Sequence, residues 1–234
     1  MIAVDLHMHT CHSPDSGTSL ESIVRGCKRA GVDCAAITDH NCIRGALELK
    51  SSGALRVIVG EEIRTTEGEL LGLFLSEEVP PGLTPRDTIA RVKAQGGLVC
   101  LPHPFSRWPV KAGELGSGNG PGFMPSGRLR RLNGLLTHEV LTAIDMIEVL
   151  NSRTPFVGNL DASRRLAAQC GLPGTGGSDA HTEREIGRAR TEMPDFCDAQ
   201  TFLAAIRSAR VTGVRSSALV HFASTYVKLR RKVC

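Results

Sequence analysis

Short apolar runs alternate along the chain with segments of helical periodicity, and each run has the length of a single β-strand. The predicted strands cover residues 2–7 (IAVDLH), 33–40 (DCAAITDH), 55–63 (LRVIVGEEI), 97–104 (GLVCLPHP), 143–151 (AIDMIEVLN) and 171–181 (GLPGTGGSDAH). Another apolar run, 69–76 (ELLGLFLS), follows the third strand so closely that it predicts a hairpin or a side strand.

Capping residues mark helices between these strands. Thr18 and Glu21 have the spacing of a capping box before a helix that ends at Gly31, and Thr84-Pro85 opens a helix that runs to Gly96. Further helices are predicted over about 43–50, 159–170 and 199–209. Alternating strands and helices indicate an α/β fold with a parallel sheet, either open or closed into a barrel.

Polar residues cluster where the predicted strands end, in HMH, TDH, GEE, PHP, EVLN and SDAH. Because barrel enzymes collect their catalytic residues at the carboxyl ends of the strands, this clustering favours the barrel. The length of 234 residues allows one large α/β domain or two small ones, and we expect a single domain over residues 1–234.

Two segments depart from the alternating pattern. Residues 107–133 contain GELGSGNGPGFMPSGR, which is rich in Gly, Pro and Ser and follows PHP directly. We expect this segment to form a lid over the site, with a disordered surface loop as the alternative. The basic C-terminal segment over about 216–234 is expected to pack on the barrel as a helix with its basic side outward. Contact with RNA or an anionic membrane is the alternative for that segment.

Composition narrows the possible functions. A net charge of +4 is too small to indicate nucleic-acid binding, and one Trp and one Tyr offer few stacking surfaces for a long nucleic acid. No apolar run approaches the ~20 residues of a membrane span, and no signal peptide is visible. None of the eight dispersed cysteines forms a CxxC pair, which argues against a zinc ribbon or redox motif. Several lie inside apolar runs, as in GLVCLP, so we expect those to be buried thiols, and we expect a reducing cytoplasm.

Histidines and carboxylates recur in pairs at the predicted strand ends. His7 and His9 are two residues apart, as are Asp179 and His181, so each pair shares one face of a strand. Imidazole nitrogens and carboxylate oxygens are ligands of divalent metals. The candidate ligands are His7, His9, Asp15, His40, Glu62, His103, Asp179 and His181.

Six stretches in one order resemble the PHP superfamily, named for polymerase and histidinol phosphatase. They are DLHMHTCHSPDSG, AAITDHN, VIVGEEI, LPHP, MIEVLNSR and TGGSDAHTEREIG, and they extend from Asp5 to about Gly187. The chain is most similar to small stand-alone members that are metal-dependent phosphoesterases. The resemblance implies a distorted (β/α)7 TIM-like barrel with two or three divalent ions (Mn, Zn or Fe) at its C-terminal mouth.

The resemblance also implies three metal positions. It assigns His7, His9, Glu62 and Asp179 to the first, Glu62 and His103 to the second, and Asp15, His40 and His181 to the third. Some relatives carry a further histidine shortly after the EVLN strand, where this chain has Asn151, Ser152 and Arg153. The second position would therefore have fewer protein ligands here.

Roles in the reaction follow from these positions. The expected catalytic residues are Asp179, His181 and Asp39, and the expected substrate contacts are Asn151, Arg153 and Arg107, because Arg binds phosphate bidentately. Asp179 or Asp39 could accept the proton of the attacking water. If His40 faces the mouth, however, Asp39 faces away and would instead orient a ligand histidine.

Charge indicates the class of substrate. Three divalent ions against three carboxylates leave an excess of about +3, and two ions leave about +1, which suits phosphate oxygens. We therefore expect a metal-dependent phosphoesterase that acts on a small phosphorylated metabolite or nucleotide, as a monoester or a diester. The alternatives are hydrolysis of a C–N or C–O bond, as in amidohydrolases, histidinol-phosphate phosphatase activity, and a non-catalytic metal-stabilised module.

Overall fold

The computed structural model describes residues 1–106, 108–111, 113–116, 124–217 and 220–233. Its strands are β1 (Ile2–Met8), β2 (Cys34–Ile37), β3 (Arg56–Arg64), β4 (Glu69–Leu73), β5 (Leu98–Leu101), β6 (Met146–Asn151), β7 (Gly174–Gly177), β8 (Ala189–Met193) and β9 (Arg210–Gly213). Its helices are α1 (Leu20–Ala30), α2 (Arg44–Ser52), α3 (Pro85–Ala94), α4 (Gly127–Leu132), α5 (His138–Ala143), α6 (Val157–Cys170), α7 (Ala199–Ala205) and α8 (Val220–Val233). Among the described residues, none of these helices combines the length and the apolar character that a membrane crossing requires.

The described strands form one nine-stranded sheet in the order β7-β6-β5-β4-β3-β2-β1-β8-β9. Strands β1 to β3 run parallel, as do β5 to β7, whereas β4 is antiparallel to both of its neighbours. The hairpin predicted from the short spacing between β3 and β4 is therefore confirmed. Strand β8 pairs antiparallel with β1, and β9 pairs antiparallel with β8.

The sheet curls until the end of β7 meets β1. The Asp179 N–H donates to the His7 carbonyl at 2.7 Å, and the His9 N–H donates to the Ala180 carbonyl at 2.9 Å. Residues from β1 to β6 share one buried apolar cluster with Phe202 of α7. The expected α/β, TIM-like barrel is thus confirmed, and its distortion comes from the antiparallel β4, which replaces a regular strand–helix repeat.

Helix α1 begins one residue later than the capping-box pattern predicts. Ser19 is the N-cap, and its hydroxyl accepts the Ser22 N–H at 3.3 Å. The Thr18 hydroxyl instead donates to the His181 carbonyl at 2.7 Å. Thr18 therefore ties the loop after β1 to the loop after β7, which is a tertiary contact that local sequence cannot reveal. Gly31 ends the helix in the left-handed conformation, as predicted.

The segment over 107–133 lies partly outside the described residues, which exclude Arg107, residue 112 and residues 117–123. In its described part, Leu115 and Leu129 are buried, and Arg128 forms an ion pair with Glu114 at 2.7 Å. Trp108 and Leu129 line a small pocket beside His103. This part packs on the barrel next to the mouth, and the lid remains a prediction.

Phe202 is the largest fully buried side chain of the barrel interior. Its ring packs edge-on against Phe74 and Phe196, with ring centroids 5.3 Å and 4.9 Å away. Because Phe202→Ala would leave a cavity, we expect it to lower the free energy of unfolding by about 3–5 kcal/mol in urea denaturation. Phe222→Ala is the matched control at an exposed ring, with an expected change within about 0.5 kcal/mol. A loss below about 1 kcal/mol at Phe202 would contradict this packing.

Candidate metal centre

Four candidate ligands meet at one point at the mouth of the barrel. His7 Nε2 and His9 Nε2 lie 3.2 Å apart, and each lies 3.3 Å from Glu62 Oε2. Asp179 Oδ1 lies 3.7 Å and 3.3 Å from the same two nitrogens. Both imidazoles are fully buried.

The remaining candidate ligands flank this point on two sides. On one side, His103 Nε2 lies 3.0 Å from Glu62 Oε1. On the other side, Asp15 Oδ2 lies 3.4 Å from His40 Nε2, and Asp15 Oδ1 lies 3.3 Å from His181 Nε2. The structure thus brings all the residues predicted as metal ligands into one cluster. Their coordination of metal ions stays a prediction.

A β-bulge in β1 aims its two histidines into the mouth. Asp5 and Met8 are three residues apart on β1 but face residues only two apart on β2, so β1 contains one extra residue. Bulges turn the side chains that follow them and are common beside active sites. His7 lies within this irregularity and His9 directly after it, and both reach the cluster.

A second bulge, in β6, brings Glu148 and Asn151 to the same side. Glu148 and Leu150 are two residues apart on β6 but face adjacent residues of β7, so β6 contains one extra residue there. Asn151 Nδ2 therefore reaches Glu148 Oε2 at 3.0 Å and Asp179 Oδ2 at 3.2 Å. Simple strand alternation would have placed Asn151 on the face opposite to Glu148.

When His7 and His9 are neutral, as metal-bound imidazoles are, their orienting hydrogen bonds place the ring proton on Nδ1 and leave Nε2 without one. Glu148 Oε1 lies 3.1 Å from His7 Nδ1 and accepts the proton there. Ser13 Oγ donates to Asp39 Oδ1 at 2.7 Å and lies 3.0 Å from His9 Nδ1, so it accepts from that ring. Because neutral imidazole carries one proton, the Nε2 atoms of His7 and His9 present lone pairs to the same point.

The third predicted position has the same character. His181 Nδ1 donates to the Asp179 carbonyl at 2.8 Å, so the Nε2 lone pair of His181 faces Asp15. In the described part of the chain, Asp15 Oδ1 is buried and accepts no hydrogen bond. Imidazole lone pairs and an unsatisfied carboxylate oxygen form a donor set that fits Mn, Zn or Fe.

The electrostatics of the cluster favour added positive charge. Burial alone would lower the pKa of His7, but the carboxylates of Glu62, Asp179 and Glu148 hold it well above its usual value. In the same way, Glu62 raises the pKa of His40 and His103 to about 9 against the opposing effect of burial. Buried carboxylates that raise histidine pKa values also attract divalent cations.

Two candidate ligands have strained backbones. His103 has φ of 26° and Asp179 has φ of 52°, a region that non-glycine residues adopt only where their surroundings enforce it. The His103 N–H donates to Glu148 Oε2 at 2.8 Å, and the Asp179 N–H donates to the His7 carbonyl. Glycine at position 177 is also required, because a Cβ there would lie 2.4 Å from His7 Cβ.

Asp39 faces away from the mouth. Its buried carboxylate accepts hydrogen bonds from the Thr10 N–H, the Thr10 hydroxyl and the Ser13 hydroxyl, each at 2.7 Å. Through Ser13 it orients His9. This geometry favours the orienting role of Asp39 over the proton-accepting role, because neighbouring residues of an extended chain face opposite sides.

The cluster lies in an open cavity of about 510 Å³. Asn151 and Arg153 line it, but Arg153 is largely buried and donates to Ser224 Oγ of α8 at 2.7 Å. Arg107, the third expected substrate contact, lies outside the described residues. Lys228 of the C-terminal helix also lines the cavity and is exposed to solvent.

Sequence reasoning left the role of Glu148 open and missed Ser13 and Glu69. For Glu148, strand parity with Met146 and Leu150 left a packing or orienting role open beside a catalytic one, and Ser13 lies in a loop without periodicity. Glu69 begins the side strand β4, yet it lines the cavity beside Glu62 and His40. A carboxylate directly after the turn that follows GEEI was the one available indication.

Comparison with known proteins now gives the family. The PHP domain family model matches residues 5–97, and the PHP-associated family model matches residues 158–211. The chain belongs to the PHP family. The uncharacterized protein MJ0417 of Methanocaldococcus jannaschii is 31% identical over 207 residues, which are 86% of this PHP chain and 77% of that protein.

Two solved structures share the fold of this PHP barrel. One is a two-domain protein of Bacteroides vulgatus that contains a predicted PHP-like metal-dependent phosphoesterase, with a TM-score of 0.67, 17% identity and 91% of this chain covered. This chain spans about 65% of the length of that protein. The other is an amidohydrolase of Chromobacterium violaceum with bound SO4 and no metal, with a TM-score of 0.55, 17% identity and coverage of 76% of this chain and 87% of that one.

The hydrogen bond between Glu148 and His7 can be tested by metal binding. Because Glu148→Gln places an amide against the Nδ1 proton of His7, we expect it to weaken Mn²⁺ affinity about 10–100-fold in calorimetric titration. Glu139→Gln on the exposed face of α5 is the control and should bind Mn²⁺ as the wild type does. Equal affinities in Glu148→Gln and wild type, with both proteins folded, would refute the orienting role.

Proposed function

We propose that this PHP barrel is a metal-dependent phosphoesterase that hydrolyses a small phosphorylated metabolite or nucleotide, either a monoester or a diester. The observation that carries the proposal is the convergence of the predicted metal ligands on the floor of one cavity. Its volume of about 510 Å³ lies in the range of small-molecule sites. A long nucleic acid is not part of the proposal.

Charge around the cavity supports an anionic substrate. Arg64, Arg153 and Lys228 line its walls together with the proposed metal ligands. When bound, Mn, Zn or Fe ions would activate water near neutral pH and offset the charge that develops on the phosphate oxygens. The proposed substrate would therefore meet positive charge from the bound ions and from these side chains.

The protein groups would position the reaction. Glu148 and the Asp39–Ser13 pair hold the imidazoles of His7 and His9, so their nitrogens need no reorganisation when a substrate binds. Asp179 lines the cavity and is the proposed proton acceptor for the attacking water. Asn151 Nδ2 donates to Asp179 Oδ2 at 3.2 Å and fixes this carboxylate. His181 remains a proposed ligand and catalytic residue.

Hydrolysis of a C–N or C–O bond is the second candidate, because the fold is shared with an amidohydrolase. That amidohydrolase holds SO4, which has the tetrahedral shape and charge of phosphate. Histidinol-phosphate hydrolysis is one specific form of the first candidate.

Product release distinguishes these candidates. Protein with confirmed Mn²⁺ content would be incubated with nucleotides, sugar phosphates and histidinol phosphate, and in parallel with amides and lactones. We expect at least one phosphate ester to release inorganic phosphate. We also expect every amide and lactone to be cleaved more slowly than that ester. Metal-loaded protein that releases phosphate from none of them would contradict the proposal.

Asp179→Asn tests the role of the Asp179 carboxylate in the proposed reaction. Because the change removes a proposed ligand and the proposed proton acceptor, we expect kcat/KM to fall by at least about 100-fold. Asp161→Asn, at an exposed position of α6, is the matched control and should keep wild-type activity. Wild-type activity in Asp179→Asn would contradict the assigned role.

A further inference from the structure

The second predicted metal position has few ligands from the strand ends. Glu62 and His103 meet there, with Oε1 and Nε2 3.0 Å apart. The Nε2 of His7 is near as well, but it belongs to the first position. Divalent ions of this type take at least four ligands, so a further protein group would strengthen binding at this position.

The end of β6 does not supply that group. Asn151 donates its Nδ2 protons to Glu148 and Asp179, and its Oδ1 accepts the Arg153 N–H at 2.9 Å. Ser152 Oγ donates to a backbone carbonyl at 2.6 Å. Arg153 is itself a cation. The polar groups on this side are therefore engaged with one another or carry the wrong charge.

The β3–β4 hairpin places a carboxylate beside the cluster. Glu62 pairs with Leu71 across the hairpin, so Glu69, two residues before Leu71, shares the face of Glu62. Ligand atoms of His40, Glu62 and Glu69 all lie within 4.8 Å of one another. The antiparallel direction of β4 brings its first residue, rather than its last, to the mouth of the barrel.

The Glu69 carboxylate is available for a cation. It is half-buried and lines the cavity. Within the described ranges, it accepts no hydrogen bond and forms no ion pair, in contrast to Glu61, which accepts the Val79 N–H at 2.9 Å. The Glu69 carboxylate adds negative charge beside the buried Glu62, and this added charge favours a cation between them.

We propose that Glu69 is a further ligand of the metal cluster beside Glu62, because β4 lies between the strands that lead to Glu62 and His103 and both Glu69 and His103 line the cavity. In this role it would compensate for the ligand that β6 lacks. The inference rests on the proposed metal binding, but not on the identity of the substrate. A fourth carboxylate would lower the excess charge of a three-metal site from about +3 to about +2. Glu69 would thereby bind the cation more tightly and weaken the general attraction for anions.

Metal stoichiometry tests this proposal without an activity assay. Wild type, Glu69→Gln and Glu69→Ala would be loaded with Mn²⁺, and bound ions counted by elemental analysis and titrated by calorimetry. We expect both variants to lose one ion per chain, or to bind the weakest ion at least 10-fold less tightly. Glu67→Gln is the matched control, because Glu67 is an exposed carboxylate on the same hairpin and belongs to no candidate metal cluster among the described residues.

The outcomes separate this proposal from the proposed function. Unchanged stoichiometry and affinity in folded Glu69→Gln and Glu69→Ala would overturn the proposal, whatever their activity. A similar loss in Glu67→Gln would also overturn it, because the effect would then be general electrostatics of the hairpin. If the Glu69 variants lose an ion and the metal-loaded wild type hydrolyses no phosphate ester, Glu69 would be supported as a metal ligand. The phosphoesterase proposal alone would then be contradicted.

Discussion

The site depends on buried imidazole nitrogens and carboxylate oxygens that face one another at a single point. The Nε2 atoms of His7 and His9 lie 3.2 Å apart and share Glu62 Oε2 as a neighbour. Glu148 holds the proton of His7 on the far side of its ring, and Ser13 does the same for His9. In a low-dielectric interior, lone pairs and carboxylates at such distances repel unless positive charge lies among them.

The barrel is built around this requirement. β1 and β7 close the sheet at the same residues that supply His7 and Asp179, so closure and ligand convergence are one event. Bulges in β1 and β6 and the positive φ of His103 and Asp179 are local departures from regular geometry. Each is held by hydrogen bonds within the site, as expected where strain is retained for function.

Much of this arrangement is visible in the sequence, because polar residues at the ends of buried strands must converge when parallel strands close into a barrel. The strand–helix alternation, the β3–β4 hairpin and the grouping of the candidate ligands all follow from that reasoning. The role of Glu148 and the contacts of Thr18 do not, because they depend on bulges and loop packing that tertiary contacts determine. The predicted strand over 171–181 is reduced to β7 (Gly174–Gly177), and β8, β9, α4 and α5 were not predicted.

Burial of Cys27, Cys34 and Cys100 raises their pKa to about 12, which agrees with the prediction of buried thiols.

Anomalous diffraction from crystals grown with Mn²⁺ tests the central claim most directly. The account predicts a strong manganese peak among His7, His9, Glu62 and Asp179, with further peaks beside His103 and beside the Asp15–His40–His181 group. Crystals in saturating Mn²⁺ with no peak at the first of these points, or with manganese only on the protein surface, would contradict it.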